Sequence, residues 1–314
     1  MSETCVFLGE DLAKYGFPGG HPFSPSRHAV YEAGLQAAGL LDQCCVRTPQ
    51  QATDEQLRLF HDGEYIDTVA RRSQSGAGYL DGGDTPAFPG IYEAAATVVG
   101  TTVAAVDAVM RGECKQAFNP IGGLHHARRD AAQGFCAFND IGVAIEHLFS
   151  TWALIEVLYV DIDAHHGDGV FYSFDKDRRV LFLDYHQHSD TLYPGTGKPY
   201  ETGSGPAKGR KLNIELIPEC DDALFFEQWA RGREFIDQFS PEFVLLQCGV
   251  DSLKGDPITN LCLSEAAHAQ VTRELIQYAG THCSGRLVAL GGGGYNMENI
   301  SRGWTAVTHT MLNT

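Results

Sequence analysis

The chain has 314 residues, 43% of them hydrophobic and 20% charged, a composition that excludes extended disorder and allows one large α/β domain or two small ones. Acidic residues number 40 and basic residues 23, and the formal net charge of −17 disfavours binding to a nucleic-acid backbone. This charge would favour a cationic substrate, such as a Lys-rich peptide or a polyamine, although solubility alone also selects acidic surfaces.

The cellular compartment is predicted from the cysteines and the amino-terminal segment. The nine cysteines are an odd number and form no C-x-x-C pair, which indicates reduced thiols rather than a disulfide framework. The first ten residues lack a basic region followed by a long apolar stretch, and no run approaches the roughly 20 apolar residues of a membrane helix. We therefore expect a soluble, cytoplasmic protein with no membrane partner.

Short apolar segments alternate with helical patterns along the whole chain. The predicted strands are residues 6–8, 116–119, 157–163, 180–184, 212–216, 243–248 and 287–290. Ser24-Pro25 predicts the start of a helix that ends at Gly39, and Asn139 or Asp140 caps a second helix. A third helix is expected to begin at Ser264 and end at Gly280. This alternation favours a mostly parallel sheet covered on both faces.

Polar or glycine-rich residues follow four of the predicted strands. They are Gly122-Gly123-Leu124-His125-His126, the run Asp161–Asp168, Gly249-Val250-Asp251 and Gly291-Gly292-Gly293-Gly294-Tyr295. Because parallel α/β sheets bind ligands at the carboxyl ends of their strands, one shared crevice is expected.

The second of these segments, Asp-Ile-Asp-Ala-His-His-Gly-Asp, predicts a metal site. On an extended backbone Asp161, Asp163 and His165 would project to one side, where two carboxylates and an imidazole can bind a divalent metal. The alternative is that these residues only cap a loop. Asp163, His165 and Asp251 together would leave positions open for water and substrate, as a catalytic zinc site requires, and Fe²⁺ or Co²⁺ would also fit. Asp251 alone is a weak signal, since an Asp after a strand more often caps a helix.

The tandem His125 and His126 are suited to proton transfer near pH 7, with Asp161 and Asp168 as the expected partners of their Nδ1 atoms. The alternative is that the two histidines occur together in a loop by chance, or that they support the metal ligands from an outer shell. Tyr295 after four glycines could donate a hydrogen bond to a developing oxyanion, or could be an aromatic plug at a loop tip.

Three further features carry weaker signals. Phe135 and Tyr193 could form apolar walls of a channel, although each alone is more often core or turn filler. His186 and His188 alternate after a strand, and with no evident partner we interpret them as structural. No G-x-S-x-G elbow supports a serine hydrolase.

Taken together, these motifs resemble the zinc-dependent histone deacetylase superfamily, which includes bacterial acetoin-utilization-type proteins and acetylpolyamine amidohydrolases. The resemblance extends from His21-Pro22-Phe23-Ser24-Pro25 to Gly294-Tyr295-Asn296. Its most specific parts are Gly-Gly-Leu-His-His-Ala at 122–127, Gly-Phe-Cys at 134–136, Asp-Ile-Asp-Ala-His-His-Gly-Asp at 161–168, Pro-Gly-Thr-Gly at 194–197 and Gly-Gly-Gly-Gly-Tyr at 291–295.

The resemblance implies a single arginase/deacetylase-type α/β domain over residues 1–314, with about eight mostly parallel strands between helical layers. It implies hydrolysis of an acetyl-lysine amide in a protein or peptide, with zinc held by Asp163, His165 and Asp251. His125 and His126 would activate water and protonate the amine, supported by Asp161 and Asp168. Tyr295 would stabilise the oxyanion.

The resemblance also assigns roles around this centre. Residues matching the acyl-lysine channel are Gly134, Phe135, Tyr193 and Gly293, and Asp84 matches a rim carboxylate that binds the substrate backbone. Arg27 matches a buried arginine beyond the zinc, near the acetate. A potassium ion is expected at Asp161, Asp163, His165, Asp184 and Tyr185, where Asp184 replaces a frequent Ser.

Three alternatives remain open. The nearest is an acetylpolyamine amidohydrolase acting on a small acetylated amine, but Ile258 stands where one polyamine-selective branch has Glu, and Asp84 favours a peptide. A non-catalytic acyl-lysine-binding protein and a dinuclear arginase-like hydrolase are the others. The sequence carries no signal of oligomeric state.

Overall fold

Eight strands form one sheet in the computed structural model, which describes residues 4–314; residues 1–3, part of the amino-terminal segment considered above, lie outside the described residues. The strands are β1 Thr4–Phe7, β2 Cys45–Arg47, β3 Gln116–Asn119, β4 Val157–Asp161, β5 Val180–Gln187, β6 Lys211–Leu216, β7 Phe243–Gln247 and β8 Leu287–Leu290. Their order is β2-β1-β3-β8-β7-β4-β5-β6, and every neighbouring pair is parallel.

Helices cover both faces of this sheet. They are α1 Glu10–Ala13, α2 Ser26–Ala37, α3 Asp54–Leu57, α4 Gly63–Ser75, α5 Ile91–Met110, α6 Asp140–Ser150, α7 Asp168–Ser173, α8 Asp222–Ile236, α9 Glu265–His282 and α10 Met297–Asn313. Alternate strand residues enter opposite cores: Val157 and Tyr159 pack with α4, α5 and α6, whereas Leu158 and Val160 pack with α2, α8, α9 and α10. The predicted α/β fold with a parallel sheet between helical layers is confirmed, and the sheet is wholly rather than mostly parallel.

Three local predictions differ from the structure. β2 was not predicted, because it has three partly or fully exposed residues at the sheet edge and no buried apolar run. The third predicted helix, α9, continues through Gly280 to His282, since helical packing outweighs the modest cost of an internal glycine. The first, α2, begins after Pro25 without a side-chain cap.

α5 also corrects the sequence analysis. This 20-residue helix is long and apolar enough to cross a membrane by length and composition. It packs against β1, β3 and α6, and most of its side chains are buried, so it is the central helix of one core layer.

The sheet order places the four predicted strand ends side by side. β3, β8, β7 and β4 are consecutive neighbours, and their last residues, Asn119, Leu290, Gln247 and Asp161, pair in register across the sheet. The loops that leave these strands therefore begin at one level, and their polar residues converge on one crevice.

Candidate active site

Asp163, His165 and Asp251 form a compact buried cluster at this crevice. Their ligand atoms all lie within 4.8 Å of one another. His165 Nδ1 is 3.1 Å from Asp163 Oδ1 and 3.0 Å from Asp251 Oδ2. β4 ends at Asp161, so Asp163 and His165 lie on the loop after it, and Asp251 lies on the turn after β7. Asp161 does not face this cluster as the strand alternation predicts; its carboxylate instead accepts the Asp163 N–H and contacts His125.

The electrostatics of this cluster call for a positive charge. Burial opposes a charged imidazole, but the carboxylates of Asp163 and Asp251 outweigh it and raise the pKa of His165 to about 10. Burial and the neighbouring Asp163 raise the pKa of Asp251 to about 7. Two oxygen ligands and one nitrogen, without a thiolate, fit a catalytic divalent zinc site and would also accept Fe²⁺ or Co²⁺.

Asp163 is held by groups that sequence reasoning did not identify. Its Oδ2 accepts the Gln247 Nε2–H at 2.8 Å and the Gly293 N–H at 2.8 Å. A Cβ on Gly293 would lie 2.2 Å from Asp251 Oδ2 and 2.8 Å from Asp163 Oδ2, so only glycine fits. Gly293, predicted to line the channel, thus also packs directly against the carboxylates of the cluster. Gln247 gave no signal, because one Gln at a strand end has no distinctive pattern.

His125 and His126 form two His–Asp pairs next to the cluster. His125 Nδ1 lies 2.7 Å from Asp161 Oδ2, and His126 Nδ1 lies 2.7 Å from Asp168 Oδ1. Because each carboxylate accepts the Nδ1–H, each Nε2 is left for other partners. The two Nε2 atoms are 3.1 Å apart, within hydrogen-bonding distance, so a proton on either one can be shared with the other. The pair can therefore hold and pass one proton at this point.

The carboxylates of the two pairs have different surroundings. Burial, Asp184 and Asp163 raise the pKa of Asp161 well above its usual value, and Tyr159 donates its hydroxyl to Asp161 Oδ2 at 2.5 Å. Burial would also raise the pKa of Asp168, but the hydrogen bond and charge of His126 outweigh it and lower that pKa. Gln133 Nε2 donates to Asp168 Oδ2 at 3.0 Å. Burial and the adjacent His125 lower the pKa of His126 to about 4.

The start of α6 positions the His segment. Asn139, one of the two predicted caps, accepts the Gly142 N–H at 2.8 Å. Asp140 is not the cap; its buried carboxylate turns back and accepts the N–H groups of Gly123 and Leu124 at 2.8 to 3.1 Å. The Asn-Asp sequence at a helix start was thus a real signal, but one residue caps the helix and the other anchors the loop.

The predicted channel residues gather around His126. Its ring centroid lies 5.2 Å from that of Tyr193, and a Cβ on Gly134 would lie 2.5 Å from His126 and 3.0 Å from Tyr193. The Phe135 ring lies 5.8 Å from that of Tyr295. Phe135 itself has φ of +68°, a conformation unusual for a bulky residue. The Thr85 hydroxyl accepts the Phe135 N–H at 3.1 Å, and the Tyr15 hydroxyl donates to the Phe135 carbonyl at 2.7 Å. Hydrogen bonds from two other loops therefore fix the backbone of Phe135.

Asp84 and Arg27 differ in exposure and in the contacts that hold them. Asp84 is exposed on a loop whose backbone is fixed by Asp81, and its carbonyl contacts His21 Nε2 at 3.1 Å. Arg27 is 1% exposed, donates to the carbonyls of Gly292 and Gly294, and stacks on Phe23 with its guanidinium 4.0 Å from the ring centroid. Its Nη1 has no hydrogen-bond partner among residues 4–314, so one guanidinium N–H pair is left for another group.

Tyr295 lies close enough to Asp163 and Asp251 for their charges to act on its hydroxyl. Burial, together with the negative charges of Asp251 and Asp163, raises its pKa well above the usual value. Its hydroxyl therefore stays protonated and is suited to donate a hydrogen bond.

Of the residues expected to bind potassium, Asp184 and Tyr185 orient their side chains differently. Asp184 Oδ2 accepts the Gly167 N–H at 2.9 Å, close to Asp161. The Tyr185 hydroxyl points away and donates to the Trp229 carbonyl at 3.2 Å, which leaves the backbone carbonyl of Tyr185 as its possible ligand. The interpretation of His186 as unpartnered was wrong, because its Nδ1 lies 2.6 Å from Asp184 Oδ1. His188 Nε2 lies 3.6 Å from Glu215 Oε2.

The chain matches known proteins over nearly its whole length. The family described as histone deacetylase domain matches residues 21–311. The acetoin utilization protein AcuC of Bacillus subtilis is 36% identical over 98% of this chain and 81% of its own length. Histone deacetylase RPD3 of Saccharomyces cerevisiae is 32% identical over 99% of this chain and 72% of its own length.

Solved structures agree with these matches. The HDA15 HD domain superposes with a TM-score of 0.89 at 30% identity, covering 99% of this chain and 88% of that one. An HDAC homolog crystallised with SAHA gives a TM-score of 0.88 at 31% identity, covering 99% of this chain and 84% of that one. On the match to residues 21–311 and the extent of these relatives, the chain belongs to the histone deacetylase family.

Proposed function

We propose that this protein is a cytoplasmic, zinc-dependent amidohydrolase that removes acetyl groups from Nε-acetyl-lysine in proteins or peptides. The observation that carries the proposal is the contact between the two His–Asp pairs, whose Nε2 atoms are 3.1 Å apart beside the Asp163, His165 and Asp251 cluster. Family membership supports a hydrolase acting on acetylated substrates.

Each group of the site has a task in this mechanism. When bound by Asp163, His165 and Asp251, a divalent zinc ion supplies Lewis acidity, which polarises a carbonyl and lowers the pKa of water. Tyr295 donates its hydroxyl hydrogen to the carbonyl oxygen as negative charge develops there. The Nε2 atoms of His125 and His126 accept the proton of the attacking water and return it to the leaving amine.

The remaining residues hold the substrate. Gly134 leaves room beside His126 for the slender acyl-lysine side chain, and Phe135 and Tyr193 enclose its methylene groups. Asp84 at the mouth accepts hydrogen bonds from the substrate backbone, and Arg27 lies beyond the cluster on the side of the acetyl group. A potassium ion near Asp161 and Asp184 would offset the charge of these two buried carboxylates.

The choice of substrate is tested by comparing kcat/KM for an acetyl-lysine peptide and for N-acetylputrescine with zinc-reconstituted protein. We expect the peptide to be preferred, and Asp84→Asn to lower kcat/KM for the peptide but not for the amine, which has no backbone. Asp190→Asn, at an exposed carboxylate paired with Lys198, is the matched control and should change neither. A strong preference for N-acetylputrescine would replace this proposal with an acetylpolyamine amidohydrolase. Binding of the peptide without release of acetate would indicate a non-catalytic binding protein.

A further inference from the structure

The segment Gly255-Asp256-Pro257 follows the predicted metal ligand Asp251, and its Asp256 joins two loops of the site. Asp256 is 8% exposed, and its Oδ2 accepts the Tyr295 N–H at 2.8 Å. Oδ1 accepts the Ile258 N–H at 3.1 Å. One carboxylate therefore connects the segment after Asp251 to the segment that carries Tyr295.

The residues before Tyr295 cannot hold it in place by side-chain contacts. Residues 291–294 are all glycine, and Gly292 and Gly294 adopt φ of +68° and +134°. A glycine run loses more conformational freedom on folding than any other sequence, so its end needs an external anchor. Asp256 provides one, because it accepts the first peptide N–H after the run.

The segment after Tyr295 is also held by hydrogen bonds to the loop that follows Asp251. The Asn296 side chain caps α10 by accepting the Glu298 N–H at 2.9 Å, and it donates to the Gly255 carbonyl at 2.9 Å. Asn299 donates to the Leu253 carbonyl at 3.2 Å. Tyr295 is thus held between Asp256 and the start of a long helix. Its hydroxyl lies at the far end of the side chain, where a small rotation of the backbone produces a larger displacement.

We infer that Asp256 is a positioning residue that sets the placement of the Tyr295 hydroxyl over the reacting carbonyl. The inference rests on the proposed function, in which Tyr295 donates to that oxygen. It assigns Asp256 an effect on kcat at saturating zinc that passes through Tyr295.

A double-mutant cycle on kcat with an acetyl-lysine peptide tests this inference. Tyr295→Phe should lower kcat by about 10²–10³, as for loss of an oxyanion donor. Asp256→Asn should lower kcat by about 10–10², because the amide cannot accept hydrogen bonds at both of its ends and a shift of about 1 Å is costly. In the Tyr295→Phe background, Asp256→Asn should lower kcat by less than about a further twofold. A change of about twofold is the usual deviation from additivity in such cycles, so a smaller change counts as no effect. Effects that multiply would overturn the inference.

Asp222 offers a matched control. Its Oδ1 accepts the Ser264 N–H at 2.8 Å, so it also joins two segments through a backbone amide, but it has no contact with Tyr295. Asp222→Asn should leave kcat close to that of the wild type, and any effect should multiply with that of Tyr295→Phe. Every variant is assayed at saturating zinc, and competition with a chelating dye verifies that its zinc site is filled.

A measurement independent of activity separates failure of this inference from failure of the proposed function. Hydrogen–deuterium exchange at the Tyr295 amide should be faster in Asp256→Asn than in the wild type or in Asp222→Asn. Unchanged exchange would contradict the inference even in a protein that releases no acetate, whereas absence of acetate release from the wild type would contradict the proposed function. If Asp256→Asn does not fold, Asp256→Glu gives the same comparison, because it keeps the charge and moves the acceptor by one methylene.

Discussion

The two His–Asp pairs of the site contain the same residue types at the same contact distance, yet their carboxylates differ. His125 meets Asp161, and His126 meets Asp168, at 2.7 Å in each case. The pKa of Asp161 is raised well above its usual value by burial, Asp184 and Asp163, whereas that of Asp168 is lowered by His126 against the effect of burial. Carboxylates crowd around the first pair. The second pair contacts Gln133 and the predicted channel residue Tyr193.

This difference shows that the surroundings of a pair, and not its two residues, decide which charge it holds. Asp161 lies between the predicted metal ligand Asp163 and the buried Asp184, so its negative charge is costly without a nearby cation. Donors reach both oxygens of each carboxylate, and what stabilises the charge of Asp168 is the hydrogen bond and charge of His126. The comparison predicts that matched substitutions in the two pairs will have different consequences.

Removal of either imidazole should have the largest effect. His125→Ala and His126→Ala should each lower kcat on an acetyl-lysine peptide by about 10²–10⁴, the usual contribution of a general acid or base. Because the two rings are in contact and would act on the same proton, the double variant should be little worse than the more impaired single variant. The zinc content of each purified variant is the control. Near-normal kcat in either single variant would show that the pairs do not act as a unit.

Replacing each of the two carboxylates by an amide should lower the free energy of unfolding by different amounts. Asp168→Asn should lower the free energy of unfolding by about 1–3 kcal/mol, because it removes a charge that the fold stabilises through hydrogen bonds. Asp161→Asn should cost less, because burial, Asp184 and Asp163 already disfavour the charged form of this carboxyl group. Urea denaturation of chelator-treated protein at pH 7 measures both values. Equal losses, or a larger loss for Asp161→Asn, would contradict the comparison.

The second pair should also give the protein a specific sensitivity to acid. The pKa of His126 in the folded protein is about 4, below its ordinary value of 6.5, so protonation favours the unfolded chain. The stability of the neutral ring is fully present above pH 6.5 and is lost as the pH falls towards 4, at up to about 1.4 kcal/mol per pH unit. His126→Asn should remove this part of the slope in chelator-treated protein. His309→Asn, at an exposed position on α10, is the control substitution.

The smallest effects should come from the donors that support each carboxylate. Tyr159→Phe and Gln133→Ala each remove one hydrogen bond, worth about 0.5–1.5 kcal/mol of unfolding free energy. Gln133→Ala should lie at the lower end, because Arg128 Nη2 is 3.7 Å from the same Asp168 oxygen. Denaturation measures both, and a larger loss for Gln133→Ala would reverse the ranking.

Much of the fold could be predicted from local patterns. Apolar runs identified every strand except β2, whose three residues at the sheet edge form no such run. Helix starts at Asn139 and Ser264 were signalled by their caps, but the end of α9 depends on packing beyond Gly280. The convergence of four strand ends followed from the parallel sheet, since polar residues after adjacent parallel strands share one edge.

The contacts that orient the candidate site could not be predicted in this way. Gln247 reaches Asp163, and Asp140 reaches Gly123, only because distant segments meet in the folded chain. Strand alternation misplaced Asp161, since the strand ends there and the following residues turn. His186 appeared unpartnered because Asp184 was considered only as a metal ligand. Sequence identifies the reactive groups, but tertiary contacts set their orientation and charge.

The proposed hydrolysis requires one divalent metal held by Asp163, His165 and Asp251. Chelator-stripped protein should be titrated with Zn²⁺ while acetate release from an acetyl-lysine peptide is measured, with Asp251→Asn as the control. Activity should be absent from the stripped protein, return with one equivalent of bound zinc, and stay absent in the variant. Full activity without metal, or zinc binding with no release of acetate, would contradict the proposed function.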